Sequence, residues 1–162
     1  MERVRRLIAD PDYQLCLAEN TQREALRPYC RHDFNHLLDV ARIAWILCLE
    51  RGLAFGQAIV YAAALLHDIG RFMQYDDPSI DHAVASRDLA CPLLARHGYS
   101  VEEIALIGEA ILSHRLPPAE VLHPLGQLLA EADDLSRLCS HCAAHEQCYK
   151  YERMVTKHGV QY

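Results

Sequence analysis

His67 and Asp68 stand side by side at the end of the most apolar stretch of the chain, Ala58 to Leu66. A carboxylate at the edge of an apolar core must be hydrogen-bonded, paired or metal-bound, because an isolated buried charge is very costly. A plain reading exists: Asp68 caps the following turn and His67 is a satisfied core histidine. Three further features weigh against it. His36 tops an apolar stripe, Asp133 falls on the inward side of a late segment beside a second acid, Asp134, and His82 and His114 sit on or near faces where core residues are expected. Imidazoles and carboxylates directed inward from several segments fit a divalent metal better than a purely structural core. A mixed set of this kind suits Fe, Mn, Zn, Co or Mg without choosing among them.

Helices must position these groups. Ala and Leu are abundant, 51% of residues are hydrophobic, only 7% are aromatic, and long Val/Ile/Thr alternations are absent, so the fold class is all-α. Residues 12–27 form the first helical candidate, closed near Pro28. The second runs over 33–50 and ends at Gly52, which suits a left-handed C-terminal cap. On it His36, Val40, Ile43 and Leu47 share one face. Residues 56–69 are apolar on nearly every side, the mark of a helix that others pack around, and Gly70 stops it. A helix over 81–97 ends at Gly98, and Pro92 inside it is expected to kink or divide it. Ser100 and Glu103 read as a capping box for a helix over 101–115, where Ile104, Ile107, Ile111 and His114 share a face. Pro117-Pro118 breaks it, and a helix over 121–137 turns Leu122, Leu125, Leu129 and Ala132 inward. A weaker helix is expected at 145–156.

The order His36 … His67-Asp68 … Asp133 resembles the H…HD…D signature of the HD-domain superfamily of metal-dependent phosphohydrolases. The flanks match as well: His36-Leu37-Leu38-Asp39-Val40-Ala41-Arg42, Ala64-Leu65-Leu66-His67-Asp68-Ile69-Gly70-Arg71 and Ala132-Asp133-Asp134-Leu135-Ser136-Arg137. The resemblance covers residues 29–150. It implies a compact HD-domain helical bundle of about six to eight helices and a single domain over 1–162, with its core at 29–137 and a cysteine-containing tail at 138–162. It implies His36, His67, Asp68 and Asp133 as metal ligands, and Ala-Asp-x-Leu selects Asp133 over Asp134. His82 and His114 take the places of groups that hold a second metal or the substrate in binuclear members, although this chain has His114-Arg115 where some branches have His-His. The implied reaction is hydrolysis of a small phosphorylated substrate, a nucleotide or other phosphoester, by water activated on the metal. Asp68 is the expected catalytic residue and Arg71 the expected phosphate contact, with Arg31, His32 and Arg137 as secondary candidates. A glutamate found soon after HD in some nucleotidases of the superfamily has no match in Ile69-Gly70-Arg71-Phe72.

Cys139, Cys142 and Cys148 form a second cluster, resembling the tail of a bacterial branch of HD proteins. Zinc or an iron–sulfur cluster would need a fourth ligand, from Cys30, His141 or His145; the reading adopted is that of free thiols packing a loop, because three thiolates leave such a site incomplete. Cys16, Cys48 and Cys91 fall in helical patterns as small core residues. A chain of 162 residues with seven cysteines, an odd count, needs no disulfide framework. The net charge of −6 offers no general attraction for nucleic acid or an anionic membrane. No apolar run approaches the roughly 20 residues of a membrane span, and Met1 to Arg6 lacks the apolar core of a signal peptide, so a cytoplasmic location is expected. Exposed apolar positions on the early helices would permit a homodimer. Two functions compete with hydrolysis: a non-catalytic metal or nucleotide sensor, and an interaction module with a structural site.

Overall fold

The computed structural model describes residues 1–116 and 123–162. Among them the fold is all-α, with eight α-helices and no strand. In chain order these are α1 (Glu2–Ile8), α2 (Pro11–Arg23), α3 (Phe34–Glu50), α4 (Gln57–Leu66), α5 (Arg71–Asp76), α6 (His82–Arg96), α7 (Val101–Ser113) and α8 (Pro124–Leu135). The break at Pro117-Pro118 and the inward Leu122 lie outside the described residues. None of the described helices is long and apolar enough to cross a membrane.

Helix α4 is the axis of the bundle. Val60, Ala62, Ala63, Ala64, Leu65 and Leu66 are all buried, against α3, α7, α1, α6 and α8. Each fully buried leucine contributes roughly 1.5–3 kcal/mol, so this helix anchors what it carries at its end. Val40, Ile43 and Leu47 of α3 and Ile107 and Ile111 of α7 pack on it, as their shared faces require. Gly52 and Gly98 take φ of +61° and +76°. At each, paired backbone bonds close the preceding helix, Leu53 N–H to the Cys48 carbonyl (3.0 Å) and Tyr99 N–H to the Leu94 carbonyl (3.1 Å). The Ser100–Glu103 capping box forms in both directions and starts α7.

Four differences from the sequence reading have physical causes. The segment 2–8 is helical because Val4 and Leu7 bury one face, and Arg3 ties it to Glu103 (2.8 Å) and the Gly98 carbonyl (3.1 Å). Helix α2 stops at Arg23 rather than near Pro28, since Glu24 turns inward to a buried partner described below. Helix α6 runs undivided through Pro92, whose ring and the Asp88 position four residues earlier both face solvent; the carbonyl that loses its donor is left to water. The expected helix over 145–156 is replaced by short 3-10 turns, Cys139–His141, His145–Gln147, Tyr151–Arg153 and Val155–His158. Too few apolar residues recur there at helical spacing to bury a face. Cys16 and Cys48 lie in the core, whereas Cys91 is half-buried.

Candidate metal centre

Five helices deliver the polar groups to one place. His36 is in the first turn of α3, and its N–H donates to the Asp33 side chain (3.0 Å), so the cap that starts the helix also fixes this histidine. His67 caps the C-terminus of α4, and Asp68 follows in the turn leading to α5. That turn is held from two sides. Asn20 of α2, fully buried, donates from Nδ2 to the Asp68 carbonyl (2.9 Å) and accepts from the Phe72 N–H (2.6 Å). Gly70 donates its N–H to Ser86 Oγ of α6 (3.0 Å). A Cβ on Gly70 would lie 2.6 Å from the Ser86 nitrogen and 2.7 Å from the Ala85 carbonyl carbon. Gly70 has φ of −92°, so glycine is required there by the closeness of α6 and not to stop a helix. His82 opens α6, His114 caps the end of α7, and Asp133 sits in the last turn of α8.

The two carboxylates are the hub. Asp133 Oδ1 is 3.1 Å from His36 Nε2 and 3.8 Å from His67 Nε2. Asp68 is 3.5 Å from His67 Nε2, 3.1 Å from His82 Nε2, 3.8 Å from His114 Nε2 and 3.6 Å from His32 Nε2. Asp134 belongs to a different neighbourhood, where burial and Asp133 raise its pKa against the pull of Arg153 and Arg137.

The opposite nitrogens show which tautomers are present. His67 Nδ1 faces the Ala64 carbonyl (2.7 Å) and His114 Nδ1 the Ile111 carbonyl (2.6 Å), groups that only accept, so each Nδ1 carries the proton. His32 Nδ1 faces the Glu24 carboxylate (2.5 Å) and His82 Nδ1 the Gln74 Oε1 (2.7 Å). His36 Nδ1 donates to Ser136 Oγ (3.3 Å), whose hydroxyl is spent on the Asp133 carbonyl (2.8 Å). Five imidazoles therefore turn Nε2 toward two carboxylates. A ring nitrogen that faces an anion needs a cation between them, a proton or a metal ion. Buried His36 Nε2, His67 Nε2 and Asp68 Oδ1 have no hydrogen-bond partner, and a divalent cation satisfies all three together. The overlapping triads His36–His67–Asp133, His67–Asp68–His114 and His32–His36–Asp68 each place three ligand atoms within 4.8 Å of one another. The residues present fit a metal.

The electrostatics agree with the geometry. Burial pushes the Asp68 carboxyl up, but the neighbouring His67, His32, His82 and Arg71 outweigh it and hold it well below the usual range. Burial acts on Asp133 in the same way, and Arg137, His36 and His67 prevail. Burial lowers the His67 pKa, but Asp68 and Asp133 together raise it above the ordinary 6.5. Burial lowers His114 to about 4, with help from the charge on His67. It also lowers His32 to about 4 against the pull of Asp68. At neutral pH these two rings are uncharged. Both values lie below the 6.5 of a free imidazole, so the unfolded chain binds more protons between pH 6.5 and 4, and stability falls on acidification through that window. The contribution is on the order of 3 kcal/mol for each ring, offset in part by His67, whose raised pKa acts in the opposite direction. Urea midpoints of chelator-treated protein are expected to fall steadily from pH 7 to pH 5, and more gently in His114→Gln. A flat profile would mean that the rings are charged.

Arg71 lies 3.5 Å from Asp68 Oδ1 and donates to His82 Nε2 (2.9 Å) and Tyr75 Oη (3.0 Å). Arg137 is buried and donates to Asp133 (2.6 Å). Arg31 instead donates to the Ala25 carbonyl at the surface, and Arg115 pairs with Asp81 (3.2 Å). A cleft lies beside the centre, with Arg27, Tyr29, His32, Arg71, Arg137, Tyr149 and Lys150 in its walls. The sequence reading gave His32 only a secondary phosphate role and did not single out Glu24. In the structure both are buried, Glu24 accepting the His32 N–H (2.7 Å), His32 Nδ1–H and the Tyr75 hydroxyl (2.5 Å). No periodicity marks such a pair; the one available signal was an acid and a histidine at the two ends of a non-helical break. Cys139, Cys142 and Cys148 stand apart from the His/Asp cluster, in the tail.

The family model of the HD domain matches residues 33–138. An uncharacterized protein of Clostridium beijerinckii (strain ATCC 51743 / NCIMB 8052) is 38% identical over 148 residues, covering 91% of this chain and 92% of the relative. No solved structure matches.

Proposed function

The chain belongs to the HD-domain family, and from that premise we propose that it is a metal-dependent phosphohydrolase acting on a nucleotide or other small phosphoester. The observation that carries this reading is the convergence of imidazole Nε2 atoms on Asp68 and Asp133 beside a cleft lined with cationic side chains. His36, His67, Asp68 and Asp133 would hold a metal, with His82 and His114 around Asp68 as donors for a second. Divalent metal bound there supplies Lewis acidity toward a phosphoryl oxygen and lowers the pKa of water.

The remaining roles fall to the chain. Arg71 and Arg137, held cationic by Asp68 and Asp133, face the cleft as donors for phosphoryl oxygens. We assign Asp68, whose Oδ1 has no hydrogen-bond partner, the catalytic position, where it would hold the metal and orient water. Neutral His32, braced by Glu24, is placed to take up a proton at Nε2. Tyr29 and Tyr149 in the cleft wall offer faces to a nucleobase, which favours a nucleotide among phosphoesters.

The test is a screen of nucleoside mono-, di- and triphosphates and dinucleotides after loading with Mn, Fe or Co, reading released phosphate or nucleotide. Arg71→Ala is expected to raise KM for the best substrate roughly 10- to 100-fold, the worth of one or two charge-assisted hydrogen bonds, with metal content unchanged. Stoichiometric metal with no turnover on any substrate would favour a binding protein.

A further inference from the structure

The chain after α8 carries little of what ordinarily fixes a segment. From Cys139 to His158 it is a series of 3-10 turns, and only Cys139, Met154 and Thr156 are buried. The turns nevertheless place cysteines with regularity. Cys139 opens the first and Cys142 closes it, the Cys142 N–H donating to the Cys139 carbonyl (3.2 Å). Cys148 closes the second, its N–H on the His145 carbonyl (3.2 Å).

The missing fourth sulfur comes from the other end of the domain. Tyr29 donates its hydroxyl to the Gln147 carbonyl (3.4 Å), which lays the segment before α3 against the second turn. Cys30, Cys139 and Cys148 then share the wall of one cleft. Burial raises the pKa of the Cys139 thiol, and Cys30, Cys142 and Cys148 raise it further, so each of these three sulfurs lies near Cys139. All four are free thiols.

We propose that Cys30, Cys139, Cys142 and Cys148 form a four-thiolate site for a thiophilic metal centre, zinc or an iron–sulfur cluster, separate from the His/Asp centre. Four sulfurs from two distant segments complete the ligand count that three could not. The resistance of the Cys139 thiol to ionisation is lost when a metal replaces its proton. A poorly buried tail gains the staple that small domains take from metals. The position of the staple also has a use. Cys30 lies two residues before His32 and Cys139 two after Arg137, so the centre would fix a wall of the cleft that both residues line.

Protein purified without oxygen, as wild type, Asp68→Asn, Cys30→Ser and Cys142→Ser, is analysed for zinc, iron and acid-labile sulfide. Asp68→Asn is expected to keep either stoichiometric zinc or a brown colour with matched iron and sulfide, the two outcomes telling the two centres apart. Each serine variant should lose at least about tenfold of that metal while keeping metal at the His/Asp centre. Alkylation of native wild type covers the case in which a serine variant does not fold. Half-exposed Cys142 and Cys148 should resist reagent until a chelator or denaturant is added. Thiol-bound metal missing from Asp68→Asn, alkylation of these cysteines at free-peptide rates, or an intact mass showing a disulfide overturns the proposal.

Discussion

Asp68→Asn protein folds, binds divalent metal at the His/Asp centre at least about 100-fold more weakly than wild type, and shows no turnover above background. The expectation follows from the position of Asp68. Its side chain is 2% exposed, and the Nε2 atoms of His67, His82, His114 and His32 all lie within 3.8 Å of it. An amide keeps the shape and removes the charge that makes cation binding favourable among rings whose burial opposes their own protonation. Asn20 and Ser86 still hold the turn through the backbone of Asp68, Gly70 and Phe72, so loss of metal need not mean loss of fold. Calorimetric titration of chelator-treated protein with Mn, beside circular dichroism, checks both halves. Undiminished affinity in a folded variant would place the metal elsewhere.

Gly70→Ala is the second large effect, and it acts through space alone. The added carbon would lie 2.6 Å from Ser86 N, 2.7 Å from the Ala85 carbonyl carbon and 2.9 Å from Ala85 Cβ. Two of those three atoms are backbone, so α6 must move or the turn must. Overpacking of this kind costs about 3 kcal/mol or more, a fall in Tm of roughly 6–12 °C for a domain of this size. His82 opens the displaced helix, so metal affinity should fall as well. Gly108→Ala is the control: its Cβ would meet the flexible Arg87 side chain at 3.4 Å, and helix propensity favours alanine there by up to about 1 kcal/mol. Thermal melts of the two variants give the comparison. Equal melting temperatures would show that α6 does not press on the metal-binding turn.

The parts of this arrangement legible in the sequence are those governed by local periodicity. The stripe on α3, the apolar run of α4 and the capping box of α7 each announce themselves within a dozen or so residues, and His67-Asp68 is conspicuous because α4 is so apolar. What stayed hidden depends on distant partners. Glu24 and Asn20 lie in the first helical candidate with nothing in the sequence to single them out, yet both are buried, one against His32 and the other against the Asp68 turn. Gly70 looks like a helix stop in one dimension and is a point of contact in three. Asp133 and Asp134 are equivalent as letters; the resemblance separates them in the sequence, and their surroundings separate them in the fold. The N-terminal helix was missed because seven residues hold too little of a period to be seen, and its Arg3 partners lie about a hundred residues away.

The way the helices end at the centre has a further consequence. His67 and His114 cap the C-termini of α4 and α7, and Asp133 lies in the final turn of α8, so three helices end their peptide dipoles at the His/Asp centre with the negative pole inward. His36 and His82 lie in the first turns of α3 and α6, which present the positive pole. The backbone itself thus offers a partly negative side for a cation and a partly positive side for an anion. Each terminus is worth roughly 0.3–1 kcal/mol, more where water is excluded. No side-chain substitution removes this field, so the residual metal affinity of a ligand variant measures what the peptide bonds supply.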